Sequence, residues 1–202
     1  ILGPLHLKFG KMIMDFTEPC SLIALPKELY KLKNLKKLIL GGGFEGYSKV
    51  KLTDYSPIWK LENLEVLGLY NTKISNLEEI ENLKKLKILI LDFHKNLINI
   101  EKLTNLKNLE TIQLDKTNLT SISFLRDLKK LQYISIGSNK LKTLSELNDH
   151  ENILKICCCC NDINDKIFLP NSKKLKEVCF GNSELKDIIS ISHPNYIHQS
   201  LE

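Results

Sequence analysis

The sequence predicts an α/β solenoid, in which short parallel strands alternate with short helical or extended segments, repeat stacked upon repeat. Leucine or isoleucine recurs every 22 or 23 residues, at Leu64, Leu86, Leu109, Leu131, Ile153 and Leu175. Each is followed by apolar residues at the third and fifth positions, and then by apolar residues at about every third position. Periods of this length mark solenoids, because one repeat buries its apolar edge only against its neighbours.

The repeat that begins at Leu109 shows both kinds of element. Ile112 and Leu114 alternate with polar residues, which is the pattern of a strand with one buried face. From Leu119 onward the apolar residues fall at every third position, which suits a 3₁₀ or short helical segment on the same core. The same frame predicts seven strands, at 37–41, 66–70, 88–92, 111–115, 133–137, 155–159 and 177–181.

A small or polar residue stands eight positions after the first apolar residue of each repeat. These residues are Gly43, Thr72, His94, Thr117, Asn139, Asn161 and Ser183. An asparagine there can pair the backbone groups left open where the strand turns, and a hydroxyl does part of that work. These residues form one column along the solenoid, called the polar column below. We expect it to make fewer hydrogen bonds away from Asn139 and Asn161. His94 is interpreted as structural, because no nucleophile or paired carboxylate lies beside it.

Two segments, NTKISNLEEIENLKKLKILIL (71–91) and TNLTSISFLRDLKKLQYISI (117–136), resemble the leucine-rich repeat superfamily. The nearest likeness is to the short class of about 22 residues seen in internalin-like proteins and phosphatase-regulatory subunits. It covers roughly residues 22–197. The resemblance implies a right-handed solenoid with a parallel sheet on the concave face and short 3₁₀, helical or extended segments on the convex face. It also implies binding of other macromolecules. Thr, His, Ser or Gly replaces most of the column asparagines usual in this superfamily.

The chain is interpreted as one elongated domain. Residues 22–202 form the leucine-rich repeat domain, with about seven repeats, and residues 1–21 form a degenerate N-terminal flank or partial repeat. Leu35 and Leu64 are 29 residues apart, which places an insertion within 41–51. Phe44 and Tyr47 have no place in the repeat core there. The insertion is either a recognition loop or a tolerated lengthening of a surface loop.

The formal net charge is +5, and many lysines stand next to the first apolar residue of a repeat. Glutamates are interspersed, and no aromatic side chains are interleaved for base stacking, so this edge is interpreted as a solvated surface. We expect no nucleic-acid partner. No stretch is long and apolar enough to cross a bilayer, so we expect no membrane insertion.

Four consecutive cysteines occupy 157–160. The repeat frame directs Cys158 into the core, whereas Cys157 and Cys159 face the concave side beside Cys179 of the next repeat. Three neighbouring thiols indicate a metal or redox site, since thiolates bind zinc. The favoured alternative is that these cysteines are small apolar strand residues, because the usual zinc-ligand spacings are absent. No cofactor is therefore predicted.

The cysteine run also bears on location. Four adjacent cysteines do not make a secreted disulfide framework, which favours a reducing, cytoplasmic compartment. The chain opens with Ile1, so a signal peptide removed from the N-terminus, and with it an extracellular or cell-surface location, stays open.

The outward strand positions are apolar in the first half of the solenoid, where side chains that only face water would be polar. Such a patch indicates a protein-binding surface, and tyrosines are frequent anchors. We predict a non-enzymatic interaction module, since an open sheet offers no pocket for Asp92 and Asp115 to act as an acid–base pair. The predicted partner-binding residues are Ile39, Val66, Tyr70, Ile88, Ile90, Asp92, Asp115 and Tyr133, together with Phe44 and Tyr47. Alternatively, the insertion folds over the apolar patch.

The expected partner is a protein or peptide of unknown identity, and the oligomeric state is left open. Two other functions remain as alternatives. One is a metal- or redox-responsive protein that uses Cys157, Cys159 and Cys179. The other is an extracellular internalin-like adhesin, which only the repeat class supports.

Overall fold

The computed structural model describes residues 24–41, 52–163 and 172–180, and the backbone alone of 12–16 and 197–198. In these segments nine strands form one parallel sheet in chain order. They are β1 (Met12–Phe16), β2 (Leu35–Leu40), β3 (Val66–Leu69), β4 (Ile88–Ile90), β5 (Thr111–Gln113), β6 (Tyr133–Ser135), β7 (Lys155–Cys157), β8 (Glu177–Cys179) and β9 (Ile197–His198). The predicted solenoid with a parallel sheet is confirmed.

The structure describes part of the predicted N-terminal flank but not the predicted insertion. β1 lies within the predicted flank or partial repeat and pairs with β2, so the sheet continues on that side of the first complete repeat. Residues 42–51 lie outside the described part of the chain. The predictions for Gly43, Phe44, Tyr47 and Ser183 therefore fall on residues that the structure does not describe.

Six 3₁₀ helices connect the described strands on the opposite side of the repeats. They are η1 (Lys27–Lys31), η2 (Ile58–Lys60), η3 (Ile80–Asn82), η4 (Ile100–Asn105), η5 (Ser123–Leu125) and η6 (Ser145–Leu147). In η3 the amide of Leu83 donates to Ile80 O, and that of Leu86 then donates to Leu83 O, both at 3.0 Å. Hydrogen bonds three residues apart match the apolar period of three, so Ile80, Leu83 and Leu86 all reach the core.

Each of the seven predicted strands ends one or two residues before its predicted C-terminal end. The cause is a turn residue with left-handed backbone angles seven positions after the repeat begins: Asn71, Phe93, Lys116, Ser138 and Cys160, with φ between 45° and 68°. The amides of the first four donate to the carbonyl of the next repeat at 2.8–3.1 Å. Pairing between repeats therefore continues through the turn, although the strand has ended.

The register aligns equivalent positions of successive repeats. Val66, Ile88, Thr111, Tyr133, Lys155 and Glu177 are neighbours across β3 to β8. The inward positions are fully buried leucines and isoleucines, such as Leu67, Leu89 and Ile112. Each buried side chain of this size contributes about 1.5–3 kcal/mol. The core is one continuous apolar column shared by all described repeats.

The polar column also runs through the interior. Asn139 Oδ1 accepts the amides of Thr117 and Leu119, and Asn139 Nδ2 donates to Leu114 O and Ile136 O, all within 2.8–3.0 Å. One asparagine thus pairs backbone groups of two repeats. Without it those groups would be buried and unpaired, which costs free energy.

His94 occupies the polar column where Asn139 stands two repeats later, and its imidazole hydrogen-bonds backbone groups there. Nδ1 lies 3.0 Å from Leu91 O, three residues back, as Asn139 Nδ2 does from Ile136 O. Nε2 accepts the amide of Thr72 at 3.1 Å, so the proton lies on Nδ1. Burial lowers the pKa of His94, although the carbonyls of Leu91 and Asp92 oppose that shift. The structural interpretation of His94 agrees with this geometry. His94 pairs one backbone amide and one carbonyl, whereas Asn139 pairs two amides and three carbonyls.

Candidate functional site

The concave face is built from three columns of outward positions, which lie two, four and six residues after the start of each repeat. The first is Lys37, Val66, Ile88, Thr111, Tyr133, Lys155 and Glu177. The second is Ile39, Gly68, Ile90, Gln113, Ser135, Cys157 and Cys179, and the third is Gly41, Tyr70, Asp92, Asp115, Gly137 and Cys159. The structure thus brings the predicted site residues of β2 to β6 onto one surface.

The apolar end of this surface is partly closed by its own side chains. A Cβ placed on Gly68 would lie 3.2 Å from Tyr70 Cε2 and 3.4 Å from Ile39 Cγ1, so both side chains cover the glycine. Ile39 is only 8 % exposed. Ile39 was predicted to contact a partner, but in the structure it packs with Tyr70 over Gly68 and is largely covered.

Beyond Tyr70 the apolar surface opens. Val66, Ile88 and Ile90 are partly exposed in adjacent strands. Tyr133 is 46 % exposed. Within the described residues, the other large hydrophobic side chains that are well exposed are Tyr30 and Ile98, neither of which lies in these columns. Tyr133 therefore has the most accessible large apolar side chain on the described concave face.

Asp92 and Asp115 bind the backbone of neighbouring repeats. Asp92 Oδ1 accepts the amide of Asp115 at 2.8 Å, and Asp115 Oδ1 accepts the amide of Gly137 at 2.7 Å. Ser135 Oγ also donates to both oxygens of Asp115, at 2.8 and 2.9 Å. Asp92 was predicted to contact a partner, but it is only 9 % exposed, so little of its side chain reaches the surface.

Burial has an electrostatic consequence for Asp92. Desolvation raises its pKa to about 6, and the charge of Asp115 adds to that effect, while the hydrogen bond from the Asp115 amide opposes it. A partly buried carboxylate with a raised pKa is a feature of many catalytic sites, although structural groups show it too. Here the carboxylate oxygen is held by a backbone amide, and the structure gives it a structural role.

The cysteines lie where the repeat frame placed them. Cys158 is fully buried, and burial raises the pKa of its thiol well above the usual range. Cys157 and Cys159 are half-buried on the concave face with their sulfur atoms 3.9 Å apart, and Cys179 is the register neighbour of Cys157. Within the described segments, no group of three or more His, Cys, Asp or Glu side chains is arranged to hold a metal ion.

Sequence reasoning missed a polar ladder along the lysine-rich edge. The residue before each repeat alternates between asparagine and lysine: Asn63, Lys85, Asn108, Lys130, Asn152 and Lys174. Each lysine donates to the asparagine of the preceding repeat at 2.6–2.8 Å. Each asparagine donates to a backbone carbonyl one repeat earlier at 2.9–3.0 Å. The signal was a period of two repeats, which a search for single repeats does not reveal.

A second missed feature is a cavity of about 240 Å³ between the second and third described convex segments. Tyr55 and Trp59 line it together with Asp54, Glu78 and Glu79. Both aromatic side chains are themselves buried, and the Tyr55 hydroxyl accepts the amide of Lys73 at 3.0 Å. The cavity therefore presents polar atoms rather than an aromatic face. Its sequence signal is the appearance of Tyr55 where other repeats have leucine or isoleucine.

Comparisons with known proteins agree with the repeat geometry. The family described as "Leucine Rich repeats (2 copies)" matches residues 107–149. Internalin C2 from Listeria monocytogenes is 24 % identical, with a TM-score of 0.66 over 79 % of this chain and 67 % of that one. A leucine-rich repeat protein of Leptospira interrogans is 27 % identical, with a TM-score of 0.64 over 82 % of this chain and 42 % of that one. Residues 107–149 are leucine-rich repeats, and the described chain has the fold of leucine-rich repeat proteins.

More distant leucine-rich repeat proteins share the fold as well. The Arabidopsis receptor kinase HAESA, in complex with the peptide hormone IDA and the co-receptor SERK1, is 18 % identical. Its TM-score is 0.60 over 79 % of this chain and 28 % of that one, so this chain spans under a third of it. None of the curated proteins matches this leucine-rich repeat chain. Among the residues that the structure describes, no helix is long and apolar enough to cross a membrane.

Proposed function

We propose that this leucine-rich repeat protein is a non-enzymatic interaction module that binds a protein or peptide on its concave face. The observation that carries this proposal is the exposed apolar surface of Tyr133 and the partly exposed surface of Ile88 and Ile90, on a sheet whose outward positions would otherwise be polar. Apolar surface of this kind favours association, because binding removes it from water.

The contact set follows from accessibility. Val66, Tyr70, Ile88, Ile90, Asp115 and Tyr133 are at least partly exposed and form the proposed contact surface. Ile39 and Asp92 are buried in the free protein, so they act by supporting Tyr70 and the turn at Asp115. The role of Phe44 and Tyr47 as additional contacts stays a prediction, because the insertion lies outside the described residues.

The fold comparisons support the partner class. HAESA, with the same fold, was solved with a peptide hormone, and a parallel sheet of many repeats offers a long, rigid surface to such a ligand. A rigid surface loses little conformational entropy on binding, so modest apolar contacts suffice for specific association.

The location of the protein remains part of the proposal. Cys157, Cys158, Cys159, Cys160 and Cys179 are all free thiols in the described structure. A reducing, cytoplasmic compartment preserves such thiols, and we propose that location. A fluorescent fusion to this chain that accumulates outside the cytoplasm of its host would contradict it and favour the adhesin alternative.

The test compares two exposed tyrosines. Tyr133 lies on the concave face, whereas Tyr30 is 38 % exposed in η1 on the other side of the repeat. Partners captured from host lysate by the parent protein would be identified, purified and titrated against parent, Tyr133→Ala and Tyr30→Ala proteins. We expect weaker binding by Tyr133→Ala alone, by about tenfold or more if Tyr133 is an anchor.

Thermal unfolding of all three proteins is the control for the fold. Because Tyr133 is 46 % exposed and lies outside the buried core, Tyr133→Ala should unfold near the parent temperature. Equal affinities of the purified partner for parent and both variants would move the binding surface away from the concave face and contradict the proposal.

A further inference from the structure

The lysines at the two edges of the sheet differ in their contacts. At the edge where the strands begin, each lysine of the polar ladder donates to an asparagine of the preceding repeat. At the opposite edge, where the strands end, Lys95, Lys140 and Lys142 are exposed. Within the described part of the chain, no carboxylate lies within ion-pair distance of these three residues, which we call the turn lysines.

The turn lysines lie beside the apolar part of the concave face. Lys95 follows Asp92 by three residues and Lys140 follows Gly137 by three, and Asp92 and Gly137 are the last outward positions of their repeats. Three residues span about 10 Å at most, and a charge acts over about 8 Å at physiological ionic strength. The lysine side chain is also long and flexible, so its ammonium group can reach a ligand bound on the concave face.

The acidic side chains in these turns are held by the protein itself. Asp92 and Asp115 each accept a backbone amide of the next repeat, and Asp92 is only 9 % exposed. Lys116 adds a further cation, with Nζ 5.0 Å from the centroid of the Phe93 ring. A ligand at this edge therefore meets more positive than negative charge.

This basic edge has an end on either side. One repeat earlier, Lys73 lines the convex cavity together with Glu78 and Glu79, so acidic groups accompany it. One repeat later, Asp162 stands at the position equivalent to Lys140. The unbalanced positive charge therefore accompanies β4 to β6, the strands that carry most of the exposed apolar surface.

We propose that the partner presents an acidic peptide segment, which packs apolar side chains on Ile88, Ile90 and Tyr133 and places carboxylates beside the turn lysines. This inference rests on the proposed function, because it takes the concave face as the binding surface. Complementary charge at an interface speeds association and selects the partner. Neighbouring strands lie about 4.8 Å apart, so β4 to β6 span about 10 Å, the length of about three extended residues. A short linear segment is long enough to meet both surfaces.

A nucleic acid fits this face less well than a peptide does. Binding of single strands uses several aromatic side chains on which successive bases stack. On the described concave face, Tyr133 is the large aromatic side chain that is well exposed, and the strands around it present aliphatic and small polar side chains. Nucleic acid and anionic membranes are therefore competing ligands in the test.

The test begins with selection from a phage library of random peptides of about ten residues, enough to cover β4 to β6 with flanks on both sides. Peptides retained by the parent protein should contain more aspartate and glutamate than the unselected library, together with apolar residues. The most enriched sequence, made as a synthetic peptide, is then titrated against purified proteins by fluorescence anisotropy. An exposed ion pair changes an affinity by about 1.4- to 5-fold, so Lys95→Gln/Lys140→Gln/Lys142→Gln should bind the peptide about tenfold more weakly.

The matched control is Lys84→Gln/Lys129→Gln/Lys173→Gln. These lysines are exposed and stand two residues before the first apolar residue of their repeats, so the control loses the same charge at the opposite edge. It should bind the peptide as the parent does, and thermal unfolding should show that every protein is folded. Raising the salt concentration from about 0.1 to 1 M shortens the screening length from about 10 to 3 Å, so it should weaken binding by the parent more than by the turn-lysine variant.

Several results would overturn the inference. These are selected peptides without an excess of acidic residues, equal affinities of the parent and the turn-lysine variant for the peptide, or an equal loss in the control. Tighter binding of single-stranded DNA or phosphatidylserine vesicles than of the peptide, lost with the turn lysines, would also overturn it.

Titration of the same peptide against Tyr133→Ala separates this inference from the proposed function. We expect both Tyr133→Ala and the turn-lysine variant to bind it more weakly than the parent does. Weaker binding by Tyr133→Ala alone would overturn only the acidic character of the partner. Weaker binding by the turn-lysine variant alone would contradict the concave face as the binding surface, and with it the proposed function.

Discussion

Replacing Asn139 with alanine tests whether the polar column holds neighbouring repeats together. The side chain lies inside the solenoid and pairs backbone groups of its own repeat and of the preceding one. The loss of unfolding free energy depends on which of those backbone groups keep another hydrogen-bond partner in the variant. Leu114 O keeps a bond from Thr117 Oγ1 at 2.6 Å, and Ile136 O keeps one from Asn161 Nδ2 at 2.9 Å.

The amides are in a different position from the carbonyls. Those of Thr117 and Leu119 both donate to Asn139 Oδ1 at 3.0 Å, and alanine offers them no acceptor. A buried donor left unpaired costs about 1–3 kcal/mol, so Asn139→Ala should lower the free energy of unfolding by about 2–6 kcal/mol. Asn161 Oδ1 accepts one described backbone amide, that of Leu141. Asn161→Ala should therefore cost about half as much.

Urea unfolding followed by circular dichroism measures these differences. Asn118→Gly is the matched control, because Asn118 is exposed and its left-handed backbone is one that glycine adopts without strain. It should change the free energy of unfolding by about 1 kcal/mol or less. If Asn139→Ala costs no more than Asn118→Gly, water replaces the side chain and the column does not couple the repeats.

Three further predictions concern the turns. The free energy of unfolding should decrease as pH falls below about 6.5, because histidines bind protons in the unfolded state, whereas the lowered pKa of His94 disfavours its protonation in the folded state. His94→Asn should lessen this decrease when unfolding is measured at several pH values. Asp92 acts with the opposite sign: its pKa of about 6 means that stability falls by roughly 3 kcal/mol as pH rises from about 4 to 6, and Asp92→Asn should remove that fall. Gly41→Ala should lower the free energy of unfolding by at least about 2 kcal/mol, because φ is +81° and a Cβ would collide with Tyr70 O; calorimetry showing no change would contradict this.

The fold could be predicted from the sequence because every repeat carries the same pattern of buried positions. Leu64, Leu86 and Leu109 each mark the same point in a frame, and an error in reading one repeat is corrected by the next. The register also followed, since Cys157 and Cys179 are neighbours as the frame required. What the frame could not give was the end of each strand. That end depends on the backbone angles of turn residues as different as Phe93 and Lys116.

The site was harder to predict from the sequence, because the placement of side chains on the concave face depends on neighbours in other repeats. The frame correctly placed Ile39, Tyr70 and Gly68 on the concave face, but the absence of a side chain on Gly68 lets the other two close over it. Likewise, the pattern places Asp92 at an outward position, but it does not show that the carboxylate accepts the amide of Asp115 in the next repeat. A periodic pattern assigns a residue to a face and does not determine how much of that face stays open.

The same architecture explains how the chain can carry the proposed binding surface without loss of stability. Stability resides in the inward columns and in the polar column, whose residues pair across successive repeats. The first outward column lies outside the buried core, so its chemistry can change from one strand to the next, from Ile88 to Thr111 to Tyr133 to Lys155. Stability in such a solenoid is a sum of contacts between neighbours, so a change on the outer face of one repeat stays local. Tyr133→Ala should therefore weaken partner binding while the free energy of unfolding stays close to that of the parent.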